Sequence, residues 1–590
     1  MKKAQQGEIP TFSYTVRLYL ICILIGLLSA AAALLLTAMV HSTEAFLRGI
    51  IAAGHLNYFL LLLPAAGLLL TTFFVKKVAK ADLSHGVTKV LASLSHDEGR
   101  IDASMIWKPL VACTLTVGFG GSMGMEAPIM HSGSAIGSNI AKAFGLNAKD
   151  RVLLLGSGCA AAVAAIFKAP VAGALFAFEI LMIDLNTKAV IPVFVSSVSG
   201  ALAARIATRS ALEYSFAISE AFDYRNILFY LLLGIFTALG AAYLRWISRK
   251  AGEAAKKIGF PYLRAAVGGL LLAVLILFFP TLFGEGYSGL SALLGGRQVR
   301  LLDSSPFYGM DTDGWLFVIY LAGLIFAKGA ATALTGAAGG IGGIFAPGLF
   351  LGGAVGYTLA RVLRLLGFGF ASEANFALIG MAGLLSALLK APLTSVFLIA
   401  EITGGYHLLI PLLITSLVAF TFSRHLFPYS VYSEPLAESG ELITHDKDKA
   451  AMKRINLRDL VETDFVALRP EATIDELEHA AMSTKRLSVP ILDAQRRILG
   501  TVHFERVRKL LLSDDPNIWI GLSVADVASP VDTSLGPATS AQDALAAFDE
   551  SGLQELPYID ANGAFSGFVE RTALLEAYRK QLHLVTIEGD

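Results

Sequence analysis

The amino-acid sequence predicts an all-α membrane protein with two internal repeats and interrupted helices, followed by a small soluble α/β pair. Three observations carry this expectation. Of the 590 residues, 55% are hydrophobic and only 16% are charged, whereas soluble proteins carry roughly a quarter charged residues. Uncharged apolar stretches long enough to cross a bilayer core, about 20 residues at helical rise, run from Leu18 to Val40, Gly54 to Val75, Asn226 to Leu244 and Ala265 to Gly284. Apolar character stops near Phe427, and beyond it short strand-like and helix-like segments alternate and repeat. The long stretches exclude a soluble enzyme, and no Ser/His/Asp or metal-ligand cluster points to a membrane enzyme.

Residues 1–16 read as an N-terminal extension carrying Lys2 and Lys3, with Arg17 next to the first stretch and Lys76, Lys77 and Lys80 after the second. The positive-inside bias then places both chain ends in the cytoplasm, in a multi-pass protein of the cell membrane, plasma or inner. The first stretch is too long for a signal-peptide core and is followed by a second, so it is expected to be an uncleaved anchor. Cys22, Cys113 and Cys159 all lie in apolar surroundings, which fits buried thiols better than a disulfide framework or a zinc site. The net charge is zero, giving no basis for nucleic-acid binding.

The membrane part repeats. The segment "GGSMGMEAPIMHSGSAIG" from Gly120 matches "GGIGGIFAPGLFLGGAVG" from Gly339 at eight of eighteen positions, an offset of 219. Lys168, Ala169, Pro170 and Glu179 recur at an offset of 222 as Lys390, Ala391, Pro392 and Glu401. Two related halves follow, near 75–210 and 300–430. Whether they are inverted is left open by these matches. Inverted repeats with a binding site at their interface are one common transporter plan.

Lys168 and Glu179 enclose only ten uncharged residues, too few to span. Irregular backbone is tolerated in lipid only where protein buries it or where it lines an aqueous cavity, so breaks of this kind point to a site. The glycines of both motifs let backbone amides approach a ligand, and Pro128 and Pro347 suit the first turn of the helices that follow. Exposed amides at helix starts attract anions. They offer a partial positive field without a full charge, which binds a dehydrated anion and lets it leave. Close helix contacts through small residues are the plainer alternative for any one such stretch; two matched stretches with proline at equal places favour the site.

Glu126 is the sole charged residue between Pro109 and Pro128, and its counterpart in the second half is Phe345. An intramembrane carboxylate is a functional candidate. Beside an anion site it would compete with the anion when ionised and withdraw when protonated, acting as gate and external proton site. The alternative is a structural glutamate satisfied by backbone amides.

These motifs resemble those of the CLC chloride channels and proton/chloride exchangers, and the resemblance covers residues 17–432. Gly124, Met125, Glu126, Ala127 and Pro128 are similar to the family segment that carries the gating glutamate. Gly343, Ile344, Phe345, Ala346 and Pro347 are similar to the segment whose Ile and Phe amides and Phe ring face the central anion, and "VYSEPLA" places Tyr432 at the family's anion-coordinating tyrosine. Ser84, His85, Gly86, Val87 and Thr88 stand where the family has G-S-G-I-P or G-H-G-V-P, with the first Gly and the Pro missing, so His85 occupies the place of a chloride-coordinating serine. The resemblance thus implies a CLC-type two-repeat bundle of broken, tilted helices, with Glu126 as gate. The implied anion-binding set is Ser84, His85, Gly86, Gly124, Gly343, Ile344, Phe345 and Tyr432. Chloride or another small anion is the ligand, there is no metal and no cofactor, and the assembly is a homodimer with one pore per subunit.

Ile180 stands at the family's internal proton-site position and cannot carry a proton. This favours a passive channel, with a proton-coupled antiporter using a different inner proton path as the alternative. Glu179 and Glu401 match one another and read as structural caps or interface groups. A cation-coupled solute symporter would need clustered acceptors, and a magnesium transporter would need acidic metal-binding residues; Gly-rich motifs with few carboxylates suit an anion better.

Residues 433–455 form a polar linker rich in Glu, Asp and Lys. Beyond it, Pro490, Asp493 and Gly500 recur 67 residues later as Pro557, Asp560 and Gly567. Each copy resembles a CBS domain, 456–515 and 523–582. Where nucleotide-binding CBS pairs carry a hydroxyl residue and an Asp after the glycine, this chain has His503 and Arg506, then Glu570 and Ala573, so adenine-nucleotide binding is not expected. The pair reads as a regulatory, cytoplasmic appendage by position.

Overall fold

A computed structural model describes residues 12–53, 61–183, 187–208, 223–368, 371–439, 452, 455–484, 486–504, 507 and 522–589. The chain divides into two compact units, Met1–Leu442 and Ile443–Asp590.

The first unit is built of helices joined by short loops, with no strand among its described residues. Its first half contains α1 (Phe12–Ala53), α2 (Leu63–Phe73), α3 (Gly86–His96), α4 (Lys108–Val117), α5 (Glu126–Ala143), α6 (Ala148–Phe167), α7 (Pro170–Glu179) and α8 (Thr187–Thr208). Then follow α9 (Ile227–Lys256), α10 (Pro261–Phe278), α11 (Tyr287–Leu294), α12 (Trp315–Ala337), α13 (Phe345–Leu365), α14 (Glu373–Leu389), α15 (Pro392–Ile402), α16 (Leu409–Leu426) and the short α17 (Glu434–Glu438). Among the described residues eight helices, α1, α6, α8, α9, α10, α12, α13 and α16, are long and apolar enough to cross a membrane.

The expected span from Gly54 to Val75 is helical over its described part: a short 3-10 turn leads into α2, which continues as a π-helical segment over Phe74–Ala79, and the backbone turns left-handed only at Lys80 with φ of 46°. The expected stretch ending at Gly284 stops being α-helical at Phe278, just before Pro280, which has no N–H to donate.

Helix breaks recur in pairs. Lys168 ends α6 with φ of 53° and Lys390 ends α14 with φ of 58°; in each case an alanine and a proline follow and a short helix begins. Gly120 and Gly339 take φ of 96° and 95°, a region open to glycine at no steric cost. The α5–α6 contact passes through Gly133 and Gly158, and the α13–α14 contact through Gly352 and Gly380; a Cβ at any of the four would collide with the opposite glycine's carbonyl oxygen. Such backbone proximity is how membrane helices associate when no water drives them together. The three cysteines are free and buried.

The matched segments meet head to tail. Gly124 N–H donates to the Gly343 carbonyl at 2.9 Å and Gly343 N–H donates back at 2.7 Å, an isolated antiparallel bridge. Ser122 N–H donates to Thr335 Oγ1 at 3.1 Å, and its counterpart Ile341 N–H donates to Thr116 Oγ1 at 3.0 Å. Glu179 accepts from the amides of Leu393 and Thr394 at the start of α15, while Glu401 accepts from Val171 and Ala172 at the start of α7. Each half therefore caps a helix of the other through a carboxylate at a helix N-terminus. The halves make reciprocal contacts and run antiparallel at the Gly124–Gly343 bridge.

The second unit contains β1 (Val461–Glu462), β2 (Ser488–Leu492), β3 (Ile498–His503), β4 (Glu555–Ile559) and β5 (Phe565–Glu570), with α18 (Ile474–Ser483), α19 (Val524–Val527), α20 (Ala541–Ser551) and α21 (Arg571–Gly589). Hairpin β2–β3 pairs Ser488 with His503, and β4–β5 pairs Glu555 with Glu570; each has a register shift at its fourth pair. The two hairpins thus repeat position by position at the 67-residue offset. A capping box of Thr473 and Glu476 starts α18, and Ser540 caps α20. Arg506 and most of the linker lie outside the described residues.

Candidate functional site

Three helix starts meet beside the Gly124–Gly343 bridge. Glu126 opens α5 and Phe345 opens α13, so the first-turn amides of both helices face the bridge from its two sides. The start of α3 lies against them: a Cβ on Gly86 would touch the Ala127 carbonyl at 3.3 Å and His131 at 3.4 Å. A Cβ on Gly343 would meet the Ala127 amide at 3.0 Å and Glu126 Oε2 at 3.5 Å, and one on Gly124 would collide with that oxygen outright. Glycine at these places is what lets a carboxylate fold over the bridge.

The Glu126 side chain is buried in this nest. Its Oε1 accepts from Tyr287 Oη at 2.9 Å, while Oε2 makes no well-aligned hydrogen bond among the described residues. The backbone amides of Glu126 itself and of Ala346, in the first turns of α5 and α13, are directed at the carboxylate, and the buried Lys328 ammonium adds its charge. A buried carboxylate costs several kcal/mol of desolvation, offset only by such groups. Each hydrogen bond to a charged group contributes about 1.5–3 kcal/mol.

Tyr432 is buried, and its hydroxyl has no partner among the described residues. Its backbone carbonyl accepts from Thr88 Oγ1 at 2.9 Å, which fixes the tyrosine to the first turn of α3. The Phe345 ring packs on Phe167, centroids 5.2 Å apart. Ile344 is half-buried at the α13 cap position.

Gly86, Gly124, Glu126, Gly343 and the α13 start, with Ile344 and Phe345, are therefore gathered in one place, and Tyr432 is tied to the α3 side of it. Ser84 and His85 point elsewhere in their contacts. The Ser84 hydroxyl donates to Asp82 Oδ1 at 2.6 Å, and His85 is exposed at a left-handed position, φ 52°. Ile180 is buried at the end of α7, its amide bonded to the Phe176 carbonyl at 3.0 Å.

Four contributors escaped the sequence reading: Tyr287, Glu285, Lys328 and Ser122. Lys328 had a usable signal, since it is the sole charged residue between Asp313 and Arg361 and the rule that singled out Glu126 applies to it equally. It is completely buried, and its Nζ donates to Ser122 Oγ and to the Glu285 carbonyl, both at 2.9 Å. Glu285 Oε1 in turn accepts from the Met125 amide at 3.2 Å. No motif in the chain announces that the loop before α11 touches the loop before α5.

A family model described as voltage gated chloride channel matches residues 66–424, and a CBS domain model matches residues 457–513. The voltage-gated ClC-type chloride channel ClcB of Escherichia coli O81 (strain ED1a) is 30% identical over 358 residues, covering 60% of this chain and 81% of that protein. ClcB of Salmonella typhimurium (strain LT2) is 30% identical over 360 residues, with the same coverage. Among solved structures, a slow cyanobacterial Cl−/H+ antiporter superposes with a TM-score of 0.62 at 22% identity, over 72% of this chain and 98% of its own. A eukaryotic CLC transporter superposes with a TM-score of 0.61 at 18% identity, over 95% and 99%. At these identities the structural likenesses show the fold.

Proposed function

The chain belongs to the voltage-gated chloride channel family and carries a CBS domain behind its membrane part, and from that premise we propose that it moves chloride across the membrane with Glu126 as the gate. One observation carries the reading: the Glu126 carboxylate lies over the antiparallel glycine bridge, at the meeting point of the α3, α5 and α13 starts, with Tyr287 on one oxygen and the first-turn amides of Glu126 and Ala346 directed at it. Amides that hold a carboxylate hold chloride by the same field. Ionised Glu126 and the anion compete for the place, and withdrawal of the side chain admits the anion. Gly86, Gly124, Gly343, Ile344 and Phe345 line the anion's place through backbone amides and Tyr432 adds its hydroxyl, while the Ser84 hydroxyl is engaged by Asp82 and His85 is exposed.

Ile180 supports passive conduction, because the residue that follows α7 has no carboxyl to pass a proton inward, and the neighbouring Glu179 carboxylate is taken up by the amides of Leu393 and Thr394. Proton-coupled exchange is the second reading, supported by a fold neighbour described as a Cl−/H+ antiporter. Family kinship supports a homodimer, and the Lys and Arg distribution supports a cell membrane with both termini cytoplasmic. The CBS pair regulates without adenine nucleotide, given Glu570 and Ala573 in the second copy and His503 in the first.

The test is purified protein in liposomes with chloride and proton flux recorded together. Glu126→Gln is expected to conduct chloride with no dependence on pH; a pH dependence equal to the wild type overturns the gate. Proton uptake driven by a chloride gradient in the wild type overturns passive conduction and establishes exchange. A micromolar dissociation constant for ATP overturns the nucleotide-free CBS pair.

A further inference from the structure

The loop before α11 grips the gate loop at four points. Gly284 N–H donates to the Gly120 carbonyl at 3.3 Å, Glu285 Oε1 accepts from the Met125 amide at 3.2 Å, Tyr287 Oη donates to Glu126 Oε1 at 2.9 Å, and Lys328 joins Ser122 Oγ to the Glu285 carbonyl. The grip depends on its glycines. Gly284 and Gly286 take φ of 70° and 94°, and a Cβ on Gly286 would press on the Phe350 ring at 3.0 Å and on Lys328 Nζ at 3.1 Å. This backbone lets Glu285 reach the gate loop while Tyr287, two residues on, reaches the gate carboxylate itself.

Three of the four contacts hold backbone or the stem of the gate loop and persist wherever the Glu126 side chain goes. The Tyr287 bond does not. Glu126 cannot leave the nest without breaking it, and a hydroxyl donating to a carboxylate is a charge-assisted bond, stronger to the ionised than to the neutral acid. We propose that Tyr287 is a positioning residue for anion transport: its hydroxyl is a catch that sets how strongly ionised Glu126 competes with chloride, while Glu285 and Lys328 hold the catch in register. The inference rests on Glu126 being the gate. The charged and titratable groups around the carboxylate are Lys328 from α12, Glu285 and Tyr287 from the α11 side, Tyr432 from the end of the unit and Cys113 from α4; Tyr287→Phe alters one of these and adds no charge.

The experiment is chloride efflux from liposomes at pH 7 for the wild type, Tyr287→Phe, Glu126→Gln and the double variant, with half-saturating chloride measured for each. Loss of the catch is expected to raise flux by about tenfold, equivalent to about 1.4 kcal/mol, to lower half-saturating chloride, and to have no effect in the Glu126→Gln background. If Tyr287→Phe leaves flux and half-saturation unchanged, or changes them equally in both backgrounds, the catch is wrong while the gate stands. If Glu126→Gln retains wild-type pH dependence, the gate itself is wrong. Should Tyr287→Phe not fold, Tyr287→Met replaces it, which also removes the hydroxyl and adds no charge; a rise in flux confined to the Glu126 background supports the catch, and no rise, or an equal rise in Glu126→Gln, overturns it.

Discussion

The two halves of the membrane unit share a backbone and differ at the side chains that matter. Gly120 and Gly339 turn alike, Thr116 and Thr335 hold mirrored amides, and Glu179 and Glu401 exchange caps. At the equivalent first residue of α5 and α13, however, one half has Glu126 and the other Phe345. The Lys328, Glu285 and Tyr287 contacts serve the Glu126 side. The symmetric part supplies an amide field that any anion could use; the asymmetric part supplies something that responds. On the proposed reading, the shared geometry makes the anion site and the departure from it makes the gate.

The comparison breaks most readily at Glu126. Glu126→Gln is expected to raise chloride flux at pH 7 by about tenfold or more, about 1.4 kcal/mol or above, whereas changes at symmetric structural positions leave the pH dependence of flux intact. Phe345→Ala tests the other half. Removing a fully buried ring costs roughly 3–5 kcal/mol, so the expected outcome is a large drop in thermal midpoint in detergent, together with chloride flux whose pH dependence survives.

The exchanged caps sharpen the symmetry itself. Glu179→Ala and Glu401→Ala each uncover two amides at a helix start, a loss of about 1–2 kcal/mol, and are expected to lower the midpoint by similar amounts. A strongly unequal pair would show that the reciprocal contact is held mainly from one side.

The smallest effect lies in the second unit. Burial raises the Glu555 carboxyl above its ordinary value, against the Ser488 hydroxyl and the Arg486 charge that lower it. Below the unfolded carboxyl range the acid is neutral in both states; as pH rises through the raised folded value, ionisation is opposed in the fold, so stability falls with rising pH. Hydrogen exchange in the full-length protein is expected to show β4 protection decreasing over that window after correction for intrinsic rates, and Glu555→Gln is expected to flatten the slope.

Much of the scaffold was legible because it obeys local rules. Proline after a left-handed lysine starts α7 and α15, and glycine marks the turns at 120 and 339. The stretch expected to run to Gly284 was misjudged at its end: it stops being α-helical at Phe278, whereas hydropathy counts apolar residues without regard to Pro280, which cannot continue a helix. Site residues divide the same way. Glu126 stood out as a lone charge in an apolar run, and Lys328 carried the same mark but lacked a matched motif to draw attention to it.

By itself the sequence determined that the chain lives in lipid, that it repeats internally, that a carboxylate lies within an amide-rich motif and that a duplicated α/β unit follows. Those are consequences of composition and periodicity, which act over short distances along the chain. Only the tertiary structure decided that the halves meet head to tail, that Glu179 and Glu401 cap one another's half, and that Tyr287 closes on Glu126 across 161 residues. A hydrogen bond between distant residues depends on which helix faces meet, and no spacing along a single strand of sequence encodes that directly.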